Sequence, residues 1–470
     1  MNLTEEQQLV VESNENVKVN AIAGSGKTST LLAYAHLKQI QGKILYLAYN
    51  KVVQEEISKK AKARGINMNV LTTHSLAYRE LSKLGYKLNL GFFTFNTFKE
   101  VCQVRFGIRK EQAYSYFKSC EKMLNLWSCL GFTMTQLLDR NEIYGNERDA
   151  IEYVFREMCD FKLPVAHDFY LKVFSCMNIQ LGYDYILVDE SQDLSFPTLQ
   201  FVCNQENCIK CYVGDSSQSI YSFRFATDAL SNPMLDDYRN LYLTQSFRYT
   251  QRIADIANEV LSWKSKYSDY VHIPIRGLQE AIIIPNRAYI TRTNFSLLNQ
   301  AYNVAQQGRD LFIEGGLNLD NFHKLICDFN RIRLGQTPTL PYLAKNKNLA
   351  EFKNMYAISE DFEMLNLVRL VETFKNESVN IIPSIQRRSV KKENSDIVLT
   401  NTHKSKGLEY NSVTLADDFI KFEDINEENA QKMNLDEELN LLYVALTRTT
   451  NELILPFGSN RQVLSKLQLY

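Results

Sequence analysis

Along this chain short apolar runs end in polar residues and alternate with longer stretches at helical spacing. The runs are Val17-Lys-Val-Asn-Ala-Ile-Ala23, Lys43-Ile-Leu-Tyr-Leu-Ala-Tyr49, Asp184-Tyr-Ile-Leu-Val-Asp189, Cys211-Tyr-Val-Gly214 and Asp396-Ile-Val-Leu-Thr400. Each is short and β-rich, as strands are, and the stretches between them read as helices. Such alternation predicts an α/β chain built on parallel sheets with covering helices, whose ligands bind at the carboxyl ends of the strands.

The first of these ends carries a glycine turn, Gly24-Ser-Gly-Lys-Thr28, followed by a helix-compatible run over 28–37. Strand, glycine turn and helix form the setting in which backbone N–H groups and a helix N-terminus cradle a triphosphate. Ala23, Gly24, Ser25, Gly26, Lys27, Thr28 and Ser29 are therefore the candidate ATP contacts, with Lys27 reaching the outer phosphates and Thr28 ligating magnesium. Ala21 stands where the strict phosphate-loop pattern has its first glycine. A second run ends in Asp189-Glu-Ser-Gln-Asp193, which puts Asp189 in place to hold magnesium and Glu190 to orient and deprotonate a water. Standing alone, that stretch would serve equally as an acidic helix cap.

Composition narrows the partners. At 470 residues, 45% of them hydrophobic, the chain exceeds one core and predicts two to four domains. Lys and Arg number 53 against 54 acidic residues, so any nucleic acid must be held in a local groove and not by a global basic field. No uninterrupted apolar window reaches membrane-spanning length, the opening MNLTEEQQ is polar and acidic, and the nine cysteines are irregularly spaced. These features predict no membrane partner and a cytoplasmic location, nuclear in a eukaryote, with reduced thiols. Cys203, Cys208 and Cys211 have metal-like spacing but no evident fourth ligand, and Cys211 also fits strand packing. The run Arg387-Arg-Ser-Val-Lys-Lys392 suits either a phosphate or a solvated loop.

Further along come Val213-Gly-Asp-Ser-Ser-Gln-Ser-Ile-Tyr-Ser-Phe-Arg224, Leu243-Thr-Gln-Ser-Phe-Arg248, Thr402-His-Lys-Ser-Lys-Gly-Leu-Glu409 and Leu442-Tyr-Val-Ala-Leu-Thr-Arg448. With the phosphate loop and D-E-S-Q-D, this ordered series resembles the superfamily 1 helicases of the UvrD/Rep type from Leu3 to about Leu455. Within them it looks most like the compact F-box DNA helicase branch, through Tyr46-Leu-Ala-Tyr-Asn-Lys51, Tyr242-Leu-Thr-Gln-Ser-Phe-Arg248 and Asn440-Leu-Leu-Tyr-Val-Ala-Leu-Thr-Arg448. No F-box-like segment precedes the motor pattern, so ubiquitin-ligase recruitment is not implied.

The resemblance implies two RecA-like lobes with ATP between them: a first lobe of 1–84 and 176–238 interrupted by a helical insertion at 85–175, and a second of 239–297 and 396–470 interrupted at 298–395. It implies that Gln7 reads adenine, that Gly407 lies at the bound nucleotide and Glu409 meets the ribose, that Gln218 senses the γ-phosphate, and that Arg248 and Arg448 neutralise the transferred phosphoryl group. It places Asn50, Lys51, Thr72, His74, Tyr221, Phe223 and His403 on nucleic acid. Tyr221 and Phe223 could stack on bases, Phe223 where the family has tryptophan, although the same spacing also serves core packing. Two residues depart from the pattern: Phe225 replaces a glycine and Asn401 a threonine. The implied activity is ATP-dependent translocation on single-stranded DNA and unwinding of tailed duplexes, 3′ to 5′, in repair or recombination. The alternative is an ATPase that senses nucleotide or DNA for a nuclease partner in bacterial or phage defence, with little unwinding; a recombinase is the other candidate protein partner.

Overall fold

The computed structural model describes residues 3–345, 348–358, 361–432 and 434–456. The chain divides into two compact units, Met1–Thr244 and Gln245–Tyr470.

The first unit is built on β1 (Val17–Ala21), β2 (Ile44–Ala48), β3 (Asn69–Thr72), β4 (Tyr185–Val188), β5 (Ile209–Gly214) and β6 (Arg239–Leu243). All pair in parallel, in the order β3-β2-β4-β5-β1-β6. Every position of β2 and β4 is buried because both sheet faces are covered. Alternate side chains enter opposite cores, as a two-residue period demands. Ile44, Tyr46, Tyr185 and Leu187 pack with α1 (Glu5–Glu12), α2 (Lys27–Lys38) and α3 (Lys51–Ala63). Leu45, Leu47, Ile186 and Val188 instead join the core of the helical insertion. That insertion follows α4 (Thr73–Lys83) and consists chiefly of helices Lys110–Cys129, Met134–Arg140, Gly145–Cys159 and His167–Cys176. Its centre is aromatic, with the Trp127 ring 4.9 Å from Phe169 and 4.7 Å from Phe155.

The second unit has β7 (Arg287–Thr291), β8 (Leu311–Ile313), β9 (Ile397–Asn401), β10 (Tyr410–Leu415) and β11 (Thr449–Ile454), again all parallel, in the order β8-β9-β7-β10-β11. A separate two-stranded ladder joins Gln245–Thr250 to Arg276–Leu278. Helices Leu319–Arg333, Leu349–Ile358, Phe362–Phe374 and Ile381–Arg388 share a core that includes Phe322, Phe329, Phe352 and Val368. These units are the two RecA-like α/β lobes.

Two strands lie outside their expected segments. β6, placed by the sequence in the second lobe, pairs with β1 from Val17↔Arg239 to Ala21↔Leu243, and Leu241 and Leu243 share its core. The first unit therefore runs through Thr244. β8, placed inside the second insertion, is the edge strand of the second sheet, with Leu311 and Ile313 packed beside Leu399. At three residues it is too short for periodicity to reveal. Among the described residues no helix is long and apolar enough to cross a membrane.

Candidate active site and nucleic-acid interface

The turn after β1 reverses at Gly24 and Gly26, whose φ values of 77° and 79° lie in the left-handed region open to glycine. Helix α2 then begins at Lys27 with no side-chain cap, so its first N–H groups face the loop, the geometry that attracts phosphate. Lys27 Nζ donates to the carbonyls of Ala21 and Ile22, each at 3.2 Å. The buried Ser25 hydroxyl donates to Ile22 O at 2.8 Å, while Ser29 is half-buried one residue after Thr28. Gln7 is tied to this loop: its amide donates to Ser25 O at 3.3 Å and accepts from Thr4 N at 3.1 Å in the capping box of α1. An adenine contact by Gln7 would use its second N–H and second lone pair.

Asp189 follows β4 and is 4% exposed. Its Oδ2 accepts from the Tyr46 hydroxyl at 2.6 Å and the Thr28 hydroxyl at 3.2 Å, and its Oδ1 accepts from the Glu190 N–H at 2.9 Å. Burial first, and then the neighbouring Glu190 charge, push its carboxyl up to about 6. The fold thus brings Thr28 and Asp189 together across 161 residues of sequence. A buried carboxylate disfavoured in its charged form, beside a hydroxyl at the phosphate loop, is an oxygen donor set that fits a hard cation such as magnesium. Glu190 takes a left-handed backbone with φ 51°, which costs a non-glycine residue about 1–2 kcal/mol. Gln192 Nε2 holds Glu190 Oε2 at 2.7 Å. Gln218 Nε2 donates to Asp215 Oδ2 at 2.6 Å, in the turn after β5.

In the second unit, Arg248 Nε donates to Glu409 Oε1 at 2.7 Å and its Nη1 to the Thr447 carbonyl at 3.2 Å. Arg448 is only 1% exposed; its Nε donates to Val444 O at 3.0 Å and its Nη2 to Thr447 Oγ1 at 3.3 Å. Three distant segments therefore meet here. Glu409 is the counter-ion of Arg248, and Gly407, at φ 85°, turns the chain into it. His403 is half-buried in the short helix Thr402–Ser405, which Asn401 caps by accepting from Lys404 N at 2.9 Å. Asparagine is well suited to this capping, since its side-chain oxygen accepts from a first-turn N–H. Spacing alone did not reveal Gly315 and Gly316 at the end of β8. Both have positive φ, and Lys404 Nζ donates to the Gly316 carbonyl. A side chain at Gly315 would lie 2.9 Å from Lys404 Cδ; the glycine pair after an apolar triplet was the available signal.

The candidate strand contacts of the first unit cluster at adjacent sheet edges. Asn50 caps α3 by accepting from Val53 N at 2.9 Å, and Lys51 opens that helix, exposed. Thr72 ends β3 and caps α4 in a box with Ser75. His74, in the first turn of α4, meets Asp168 at 3.0 Å, and that hydrogen bond, set against burial, holds the Asp168 carboxyl below its usual value. Tyr221 stacks on Tyr49 at 6.3 Å and 18°, while Phe223 is 61% exposed, so this pair is not core packing. The Arg224 guanidinium lies over both rings, 5.4 Å and 5.5 Å from their centroids. Tyr49 and Arg224 were not singled out by motif spacing, and only the fold places them beside Tyr221. Phe225 has φ 57°, the conformation natural to the glycine it replaces.

Other sequence candidates are placed as follows. Cys203 Sγ lies 3.5 Å from the Tyr212 hydroxyl, Cys211 is buried in β5, and among the described residues no group of three His, Cys, Asp or Glu side chains is arranged to hold a metal. Within the basic run, Arg388 pairs with Asp310 at 3.4 Å and Lys392 with Glu314 at 2.5 Å.

Comparison with known proteins aligns with this geometry. The family model described as UvrD-like helicase C-terminal domain matches residues 318–460, and the model described as AAA domain matches 6–224. The chain is similar to F-box DNA helicase 1 of Gallus gallus, 29% identical over 96% of this chain and 49% of that protein. It is also similar to F-box DNA helicase protein 1 of Schizosaccharomyces pombe, 28% identical over 96% of this chain and 57% of that protein. DNA helicase II of Haemophilus influenzae is 25% identical over 53% of this chain and 38% of its own. The chain spans about half the length of the two F-box helicases.

Proposed function

We propose that this chain, which belongs to the UvrD-like helicase family, hydrolyses ATP and uses the cycle to move along single-stranded DNA and to separate tailed duplexes, 3′ to 5′, in DNA repair or recombination. The observation that carries the reading is the Thr28–Asp189 hydrogen bond, which joins the phosphate loop to the acidic pair at the strand ends. Lys27 would leave the Ala21 and Ile22 carbonyls for the outer phosphates, for which an ammonium is the stronger partner. Thr28 and Asp189 would hold magnesium, which supplies charge neutralisation at the phosphate oxygens when bound. Glu190, fixed at a strand end by its backbone and by Gln192, would take the proton of the attacking water. Arg248 and Arg448 would stabilise charge on the transferred group, a contribution of roughly 10³ to 10⁵ in rate. Gln7 would contact adenine and Glu409 the ribose, with Gln218 answering to the γ-phosphate. Stepping requires only that ATP favour one of two conformations that grip the strand differently.

Asn50, Lys51, Thr72, His74 and His403 would grip the phosphate backbone. Tyr221 and the exposed Phe223 would stack on bases without reading sequence, at about 1–3 kcal/mol per base. The protein would act wherever the genome is, in cytoplasm or nucleus. Phe225 favours a second reading, an ATPase that senses DNA for a nuclease partner, because a strained ring stands on the strand-contacting segment.

The test is steady-state hydrolysis with and without single-stranded DNA, beside unwinding of duplexes with 3′ or 5′ tails, with Lys27→Ala and Glu190→Gln as inactive controls. DNA-stimulated hydrolysis with unwinding from a 3′ tail supports the motor. Stimulation without unwinding on either tail supports the sensor, and hydrolysis that survives Lys27→Ala refutes both.

A further inference from the structure

Gln192 is completely buried in a turn packed with acids, yet none of the chemistry above requires it to touch substrate. Its Nε2 donates to Glu190 Oε2 at 2.7 Å and to Asp193 Oδ2 at 3.2 Å. Its Oε1 accepts from the Asp215 backbone N–H at 3.0 Å, and its own carbonyl accepts from the Ser219 hydroxyl at 3.2 Å. The orientation of the amide is forced: carboxylates need a donor and a backbone N–H needs an acceptor. Gly214 makes room for it, since a Cβ there would lie 2.6 Å from Gln192 Oε1.

Both ends of this one rigid amide are therefore committed to different parts of the machinery. The N–H end fixes the carboxylate proposed as the hydrolytic base. The carbonyl end fixes the start of the segment 215–223, which holds Gln218 and then the rings of Tyr221 and Phe223. A displacement of that segment cannot leave the amide in place without breaking a buried hydrogen bond, and the amide cannot turn without moving the grip on Glu190.

We infer that Gln192 is a positioning residue that couples occupancy of the strand-contacting segment to the orientation of Glu190. The inference rests on the motor reading above and adds to it the physical link through which DNA would stimulate hydrolysis. It requires no movement between the two units, because every atom of the link lies in the first.

Two isosteric variants separate the two ends. Gln192→Glu retains an acceptor for the Asp215 N–H but cannot donate to Glu190 when ionised; Gln192→Met does neither. The experiment measures kcat and KM for ATP with and without single-stranded DNA, with the affinity for magnesium ADP and the thermal midpoint as controls. In Gln192→Glu, kcat should fall about tenfold and the ratio of stimulated to unstimulated kcat should fall toward one, because the grip on Glu190 is one end of the link. In Gln192→Met that ratio should collapse toward one as well, with nucleotide affinity held within about threefold in both variants. If Gln192→Met keeps the full stimulation ratio, the link is overturned while the motor reading stands. If both variants lose nucleotide affinity along with kcat, Gln192 serves the fold alone and the inference falls. Absence of hydrolysis by the unaltered chain removes the motor reading and this inference together.

Discussion

In the first unit the carboxyl of Asp189 is surrounded by the hydroxyls of Tyr46 and Thr28 and by a second acid, Glu190, whereas in the second unit Arg248 already lies against the carboxylate of Glu409. One site stores electrostatic tension in the interior; the other neutralises its charge in a pair that is half open to water on the glutamate side, where the side chain is 48% exposed. Burial is the physical difference. Burial of a carboxyl, and then a like charge beside it, raises its pKa, while an ion pair with one exposed partner is weak and easily exchanged for a phosphate. The first site thus sets two acids at a buried strand end, and the second sets an arginine in an ion pair that is open on the glutamate side.

The largest effect that would sharpen this contrast is on rate. Arg248→Ala should reduce ATP turnover by about 10³-fold while lowering unfolding free energy by only about 1–2 kcal/mol, since its carboxylate partner is half exposed and one bond to the Thr447 carbonyl is lost. Steady-state hydrolysis and urea unfolding check both halves, and a large stability loss would break the description of the pair as exchangeable. Arg448→Ala should behave differently, costing about 3 kcal/mol of stability in addition to activity, because the side chain is 1% exposed and bonded to Val444 and Thr447. Equal stability of the two variants would erase the distinction between them.

The tension at Asp189 predicts a pH dependence. Its folded carboxyl titrates at about 6 against 3.8 ordinarily, so between those values the folded state binds the extra proton and stability falls as pH rises. Asp189→Asn removes the effect. Relative to this variant, the unaltered chain should lose about 2–3 kcal/mol between pH 4 and pH 7 in magnesium-free buffer. A pH-independent difference in thermal midpoint would show the carboxylate to be unstrained. The smallest effect concerns Phe225: Phe225→Gly should gain about 0.5–1 kcal/mol by relieving the left-handed backbone. Increased unwinding in the same variant would favour the motor over the sensor; loss of stability would mean that the ring packs usefully where it is.

How much of this was legible depended on whether the partners are near in sequence. The phosphate loop is a strand, a turn and a helix in one run, so the residues carrying it announce it. Asp189 and Glu190 end an apolar run and were equally visible. Tyr46 was not, because a tyrosine in a continuous apolar strand looks like core; only the parallel pairing of β2 with β4 sets its hydroxyl on Asp189. Gln192 was hidden between two acids inside a motif, and its partner Asp215 lies 23 residues further on. β6 and β8 belong to other segments than the motif order suggests for a related reason: a strand's membership is settled by which neighbour it hydrogen-bonds to, and period-two alternation names no neighbour.

The order of residues by itself determined the α/β class, the phosphate loop, the acidic pair and the motif series, because each of these is a property of contiguous spacing. Tertiary structure alone decided which carboxylate is strained, which arginine is buried, which rings are exposed and which amide bridges Glu190 to Asp215. Those outcomes follow from burial and hydrogen-bond distance between segments as many as 199 residues apart, quantities that exist only once the sheets have formed.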